Sequence, residues 1–326
     1  MLLKTTVVIP NYNGKKYLED CLKSLNEQDM TLKVIIVDNA SSDSSIEYIK
    51  NVAKTFQNLE IKLIELKSNT GFSNAVNVGI KESDTEYVFL LNNDTICEKN
   101  VVKELEYLMD KRKDAFSVQA LMTSIEDESI VDDSGDFYNA LGYAFTLNKG
   151  KRLKTNAHFA KIMTACAGAA IYKRNLFDEV GYFDVAHFCY LEDVDIGYRA
   201  RICGYNNYVN FKAKVRHKGS ATSGSKYNEF KQKLAAANNI FLIYKNMPFL
   251  QLILNLPFII IGVVVKLLYF TKKGLGGAYA YGIIWGFKKI KKYKNHKVKF
   301  KQSHLKNYIK IQLELWGNFF KIFTKI

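Results

Sequence analysis

Over the first 120 residues, short β-branched runs alternate with segments whose apolar positions recur every three or four residues. TTVVIP, LKVIIVD, IKLIEL, YVFLL and AFSVQALM read as strands. KKYLEDCLKSL, SSIEYIKNVAKTF, SNAVNVGIKE and EKNVVKELEYLMDKRKD read as helices between them. Strands that alternate with helical segments of about ten residues predict βαβ units and a parallel sheet. The run Val88–Leu91 is apolar throughout, as expected of a strand covered on both faces. Right-handed crossovers then gather the loops that follow the strands on one rim, where open α/β sheets bind ligands.

Four such loops are rich in Asn, Ser, Asp and Gly: NYNG at 11–14, DNASSD at 38–43, SNTGFSN at 68–74 and NNDT at 92–95. Any one of them is ordinary turn chemistry. Four in succession at equivalent strand ends predict a ligand rim. Asp94, a lone carboxylate beside Asn92 and Asn93, suits a hard divalent cation carrying phosphate oxygens. Pro10, Asn11 and Tyr12 end the first strand, and Asp38 ends the second. A carboxylate at Asp38 can accept hydrogen bonds from a pyrimidine or a ribose hydroxyl, or close an Asx-turn or cap a helix.

Beyond residue 122 the pattern weakens. Residues 124–160 are polar and irregular, and ACAGAAIYKR at 165–174 implies close backbone approach to a ligand or a neighbouring element, Gly168 above all. LEDVDIGYRARICGY begins at Leu191 with three acids, Glu192, Asp193 and Asp195; Asp195 can pair with Arg199 one helical turn on. A strand-like YVNFKAKVRH then ends at His217. Residues 226–246 read as an amphipathic helix. From Met247 to Phe270 the chain is apolar but broken by Pro248, Gln251, Asn255, Pro257 and Lys266. The longest unbroken apolar piece falls short of the roughly 20 residues of a spanning helix, which favours an interfacial or re-entrant hairpin.

The net charge of +15 changes meaning once located: residues 271–326 hold fourteen lysines against Glu314 alone, and the rest of the chain is nearly neutral. Lysines interleaved with Tyr279, Tyr281, Trp285, Tyr293 and Trp316 beside an apolar stretch predict an anionic membrane surface as the partner of 247–326, rather than nucleic acid. A homo-oligomer through the tail is the other reading. Five scattered cysteines without a C-x-x-C pair indicate neither a disulfide framework nor a zinc site. With no secretory signal pattern at the N-terminus, the expected location is the cytoplasmic face of the cell membrane, peripheral or monotopic.

Taken together, VVIPNYNG, VDNASSDSS, NTGFSNAVNVG, LLNNDT, LEDVDIGYRARICGY and VRHKGS occur in the order that resembles glycosyltransferase family 2, the inverting GT-A transferases, over about residues 4–225. Within the family the chain is most similar to the rhamnosyltransferase-like branch that builds surface polysaccharides. The resemblance implies an α/β GT-A fold, with a donor-binding half over about 1–122, an acceptor half over 123–225, and a helical membrane-associating region over 226–326. It implies a nucleotide-diphosphate sugar donor, dTDP-rhamnose or a UDP-sugar, and a lipid-linked or growing polysaccharide acceptor. Asp38 would contact the pyrimidine, with Asn69, Gly71 and Asn74 lining the same pocket. Asp193 would be the general base, its pKa lifted by repulsion from its helper Glu192. Asp94 and His217 would hold Mn²⁺ or Mg²⁺, imidazole favouring manganese. Arg199, Arg201 and Lys218 are further candidates for the diphosphate, and the loop after His217 for closing over the donor.

One departure stands out. Asn92 occupies the first position of the family's usual Asp-x-Asp, where an amide or a water must replace a carboxylate. The competing readings are a nucleotide-sugar-binding module without turnover and a sugar-nucleotide nucleotidyltransferase. The second would carry a Gly-rich, basic loop near the N-terminus, which PNYNG is not.

Overall fold

The computed structural model describes residues 3–219 and 228–321. The N-terminal half runs β1 (Thr5–Asn11), α1 (Lys15–Asn26), β2 (Leu32–Asp38), α2 (Ser45–Val52), β3 (Leu59–Glu65), α3 (Phe72–Glu82), β4 (Tyr87–Leu91), β5 (Thr95–Cys97), α4 (Val101–Lys111) and β6 (Ala115–Ser124). Four short strands follow, β7 (Val131–Asp133), β8 (Asp136–Tyr138), β9 (Ala144–Thr146) and β10 (Phe159–Ile162). Then come β11 (Ala169–Lys173), α5 (Phe177–Val180), α6 (Glu192–Cys203) and β12 (Asn206–His217). The C-terminal part is helical: α7 (Glu229–Asn246), α8 (Phe249–Lys272), α9 (Gly276–Lys292) and α10 (Leu305–Lys321).

One sheet has the order β10-β12-β6-β11-β4-β1-β2-β3. Strands β3, β2, β1 and β4 are parallel, β11 is inserted antiparallel, and β12 again pairs parallel with β6. The period of two along β1 shows why both faces are covered. Val7 and Ile9 pack with Leu18 and Leu22 of α1, while Val8 packs with Ala75, Val76 and Ile80 of α3. Burying each such side chain stabilises the fold by roughly 1.5–3 kcal/mol.

The C-terminal helices share a core with α6. Tyr308, Ile311 and Leu315 of α10 and Leu242 and Ile243 of α7 meet Val194, Tyr198 and Ile202. Helix α9 lies against α7 with little separation, because a Cβ on Gly286 would come within 2.6 Å of Ile240 Cβ. A buried charge network ties α7 to the first turn of α6: Lys245 Nζ donates to Asp184 (2.6 Å) and Asp195 (2.8 Å), and Arg199 bridges Asp195 at 2.9 Å. Asp195 is held far below the usual carboxylate range, since its burial is outweighed by Lys245 and Arg199. Lys245→Met is therefore expected to destabilise the protein by about 3–5 kcal/mol, because two buried carboxylates lose their ammonium. A urea-unfolding shift under about 1 kcal/mol would show that the network is dispensable.

The hairpin expected over 247–270 is not formed. Helix α8 is continuous for 24 residues, and by length and apolarity it could cross a membrane. Two of the residues that break the linear pattern, Gln251 and Asn255, lie on one buried stripe with Ile259 and Gly262. Gln251 accepts from Tyr198 Oη at 2.8 Å, and the Asn255 and Gln312 amides bond each other. At the far end, Tyr143 Oη donates to the Gly262 carbonyl at 2.7 Å. The stripe holds α8 lengthwise against the domain, with its apolar face outward: Ile253, Leu254, Ile260, Ile261, Val264 and Leu268 are exposed.

Candidate active site

The loops after β1, β2, β3 and β4 form one hydrogen-bonded rim. Asn93 Nδ2 donates to Asn11 Oδ1, and Asn11 Nδ2 donates to Asp38 Oδ2, both at 2.7 Å. Asp38 also accepts from Ser41 N (2.8 Å) and Ser41 Oγ (2.7 Å). Asp38 is fully buried. It closes an Asx-turn and ties the loops after β1 and β2 together. Pro10 is half-buried at the end of β1, paired with Val37, and Tyr12 stands exposed beside it.

Asn69 Oδ1 accepts from Gly71 N and from Asn39 Nδ2, both at 3.0 Å, and Asn74 Nδ2 donates to Thr70 Oγ1 at 2.9 Å. Gly71 has φ +85°, and a Cβ there would sit 2.6 Å from the Phe188 carbonyl oxygen. Only glycine allows this contact, which places the segment before α6 on the β3–α3 loop. Gly168 makes the close approach its small neighbours predict: its carbonyl accepts from Asn92 N at 2.9 Å, and a Cβ would lie 3.0 Å from Asn92 Nδ2.

Asp94 and His217 come together because β5 pairs antiparallel with the end of β12, His217 opposite Thr95. Asp94 Oδ1 lies 3.3 Å from His217 Nε2, and His217 Nδ1 is 2.6 Å from Asp132 Oδ2. Burial opposes protonation of this imidazole, but the hydrogen bonds to Asp132 and Asp94 outweigh it and lift the pKa to about 9. A metal-ligating histidine gives one ring nitrogen to the ion and fixes the other on a carboxylate, the place Asp132 takes beside His217 Nδ1. Among the described residues no group of three or more His, Cys, Asp or Glu side chains is gathered for a metal. The donor set fits a cation that takes two protein ligands and completes its shell with diphosphate oxygens and water.

Asp193 and Glu192 open α6. The backbone leading to them is strained, since Phe188, Tyr190 and Leu191 have φ of 63°, 69° and 66°. Asn238 of α7 holds this segment, its Nδ2 donating to the carbonyls of His187 (2.9 Å), Cys189 (2.9 Å) and Tyr190 (2.7 Å). Asp193 is partly exposed, and its pKa is raised to about 6, by burial first and then by Asp133, against the Val194 N–H bond. Asp133 is a neighbour that repels it beyond the adjacent Glu192, with which it shares mutual repulsion. Glu192 is buried, has no partner at Oε2 among the described residues, and is pushed up to about 8 by burial and by Asp193.

Sequence patterns missed Asp132, Asp133 and Asp136. These acids lie on β7 and β8, and burial together with Asp133 and Asp193 raises Asp136 well above the carboxylate range. Gln119 secures Asp133 through a 2.8 Å bond. Two candidates drop out. Arg199 is spent on Asp195 and the carbonyls of Val180, Gly181 and Tyr182, and Arg201 on Glu314 and Asn206. Lys218 stays exposed at the rim, its N–H donating to the Asp94 carbonyl at 3.1 Å. The following loop lies, from residue 220 to 227, outside the described residues.

The family model for glycosyl transferase family 2 matches residues 6–181, more than half of the chain. The chain belongs to glycosyl transferase family 2. Among curated relatives it is similar to the poly(ribitol-phosphate) beta-N-acetylglucosaminyltransferase TarS of Staphylococcus aureus, 28% identical over 114 residues, 34% of this chain and 19% of that protein. It is also similar to the poly-beta-1,6-N-acetyl-D-glucosamine synthase of Staphylococcus aureus, 25% identical over 201 residues, 61% of this chain and 46% of that protein. The chain thus spans less than half the length of these relatives. The mannosyltransferase PcManGT from Pyrobaculum calidifontis, solved with GDP-Man and Mn²⁺, shares the fold at TM-score 0.57 and 17% identity, over 89% of this chain and 88% of that one. This family 2 protein therefore has a GT-A fold, a mostly parallel sheet with flanking helices, extended by C-terminal helices.

Proposed function

We propose that the chain is an inverting glycosyltransferase that moves a sugar from a nucleotide-diphosphate sugar to a hydroxyl of a lipid-linked or growing cell-surface glycan. The observation that carries this is the pairing of a partly exposed Asp193, poised near pKa 6, with the Asp94–His217 corner across the Asp132–Asp136 carboxylates. The rim of Asn11, Asn69, Asn74, Asn92 and Asn93 supplies amides for the nucleotide and diphosphate. The family and its glycan-building relatives support the donor and acceptor classes. Within them, dTDP-rhamnose and the UDP-sugars are the donors to try first.

Asp193 would take the proton of the acceptor hydroxyl as its oxygen attacks the anomeric carbon and the bond to the diphosphate breaks on the opposite face. Glu192, neutral near pH 7, would donate a hydrogen bond to the acceptor rather than add charge. Asp94 and His217 would hold Mn²⁺ or Mg²⁺, which when bound supplies positive charge for the departing diphosphate. Ionised Asp193 is the active form, so the rate should rise with pH through about 6 and then level. A rate flat from about pH 5 to about pH 8 would contradict this assignment.

The outward apolar face of α8, beside the lysines of α9, supports peripheral attachment to an anionic membrane at its cytoplasmic face. Ile260→Glu with Val264→Glu should weaken sedimentation with phosphatidylglycerol vesicles by at least about tenfold. Unchanged sedimentation would remove α8 from the contact.

A further inference from the structure

Beside the segment that leads into α6 lies a groove of about 410 Å³. Its walls are Phe188, Phe230, Leu234 and Trp285, Lys288 and Lys292 stand at its lip, and Lys289 is buried in its floor; among the described residues no carboxylate lines it. Apolar walls with cationic side chains at the rim match an amphiphile with a phosphate head and a hydrocarbon chain. We propose that this groove binds the acceptor's lipid carrier, a single-chain isoprenoid phosphate or diphosphate, with the phosphate at the lysines and the first isoprene units along the aromatic wall.

Three features place such a ligand where it would serve the reaction. Phe188 lines the groove and also packs on Gly71 of the donor rim, so groove and rim share a wall. Lys289 is only 6% exposed, and its ammonium donates to Asn238, the residue that holds the carbonyls of His187, Cys189 and Tyr190. The groove floor is thereby joined to the strained backbone that presents Asp193. Burial lowers the Lys289 amine to about 8, and an anion beside it would raise it again. Helix α9 also exposes Ile284 and Phe287, apolar side chains on either side of Trp285 in the sequence.

The role as an acceptor site rests on the transferase reading; the binding does not. Trp285 and Trp316 are the two tryptophans, so Trp316→Phe leaves Trp285 as the sole reporter in the full chain. Farnesyl diphosphate below its micellar concentration should change Trp285 emission saturably. Farnesol and inorganic diphosphate should each bind at least about tenfold more weakly, and Lys288→Glu with Lys292→Glu should weaken farnesyl diphosphate roughly tenfold or more. Farnesol binding as tightly as the diphosphate, or no effect of the lysine reversals, would overturn the proposal. So would phosphatidylglycerol vesicles that evoke the same change and exclude farnesyl diphosphate, because the groove would then be general bilayer contact. A protein that binds farnesyl diphosphate but transfers no sugar keeps the groove and loses the transferase reading. Transfer to a soluble glycan without any such binding does the reverse.

Discussion

Asp193→Asn should lower the rate of sugar transfer by about 10²–10⁴-fold, the range lost when a positioned base is removed. The amide keeps the shape of the carboxylate and its bond from Val194 N, 2.7 Å in the parent, so the loss would report chemistry rather than folding. Glu192→Gln is the informative contrast. With a pKa near 8 that carboxyl is mostly protonated at neutral pH, and Gln preserves both its size and its capacity to donate. Its cost should stay within about tenfold, roughly three orders below Asp193→Asn at the upper end of that range. The contrast is read in single-turnover rates at saturating donor. Equal losses for the two variants would mean that the pair acts as one charge cluster and that Asp193 has no separate role.

The second large effect is expected at Asp94. Asp94→Ala should cost at least about 10²-fold in metal-stimulated turnover, since the ion's charge stabilisation is worth several kcal/mol. Asp132→Asn should cost about 10–100-fold through the loss of the carboxylate that orients His217. The 2.6 Å bond between His217 and Asp132 also gives the pH dependence its sign. With its folded pKa at about 9, His217 must release a proton from Nε2 to ligate, so metal affinity should rise with pH and flatten above about 9. Titration of Mn²⁺ by isothermal calorimetry at several pH values reads both effects. Affinity independent of pH and unchanged in Asp94→Ala would place the metal elsewhere.

The part of the fold built on strict periodicity was legible in the sequence. Runs such as TTVVIP and YVFLL carry enough consecutive apolar residues to be strands, and their order places the four Asn-rich loops on one rim. Pairing of β5 with β12 was not legible, because Thr95–Cys97 has only three residues. Yet this pairing is what delivers His217 to Asp94. The same holds for Asp132 and Asp133, which sit on a three-residue strand in a stretch where DDSGD reads as a turn. Helix α8 shows the opposite case. Gln251, Asn255, Ile259 and Gly262 recur at helical spacing, so the interruptions were themselves the signal of a continuous helix with a buried polar stripe. The roles of Asn238 and Lys289 depend on tertiary packing of α7 and α9, which no local pattern records.

The most direct test of sugar transfer by this chain is release of nucleoside diphosphate by the wild-type protein. The assay would use dTDP-rhamnose, the common UDP-sugars and GDP-mannose, with Mn²⁺ and an isoprenoid-diphosphate-linked acceptor, and the product anomer would be assigned by NMR. Release with at least one donor, and a sugar joined with inverted configuration, is the predicted result. No release across the donors, or a product that retains the donor's configuration, would contradict it.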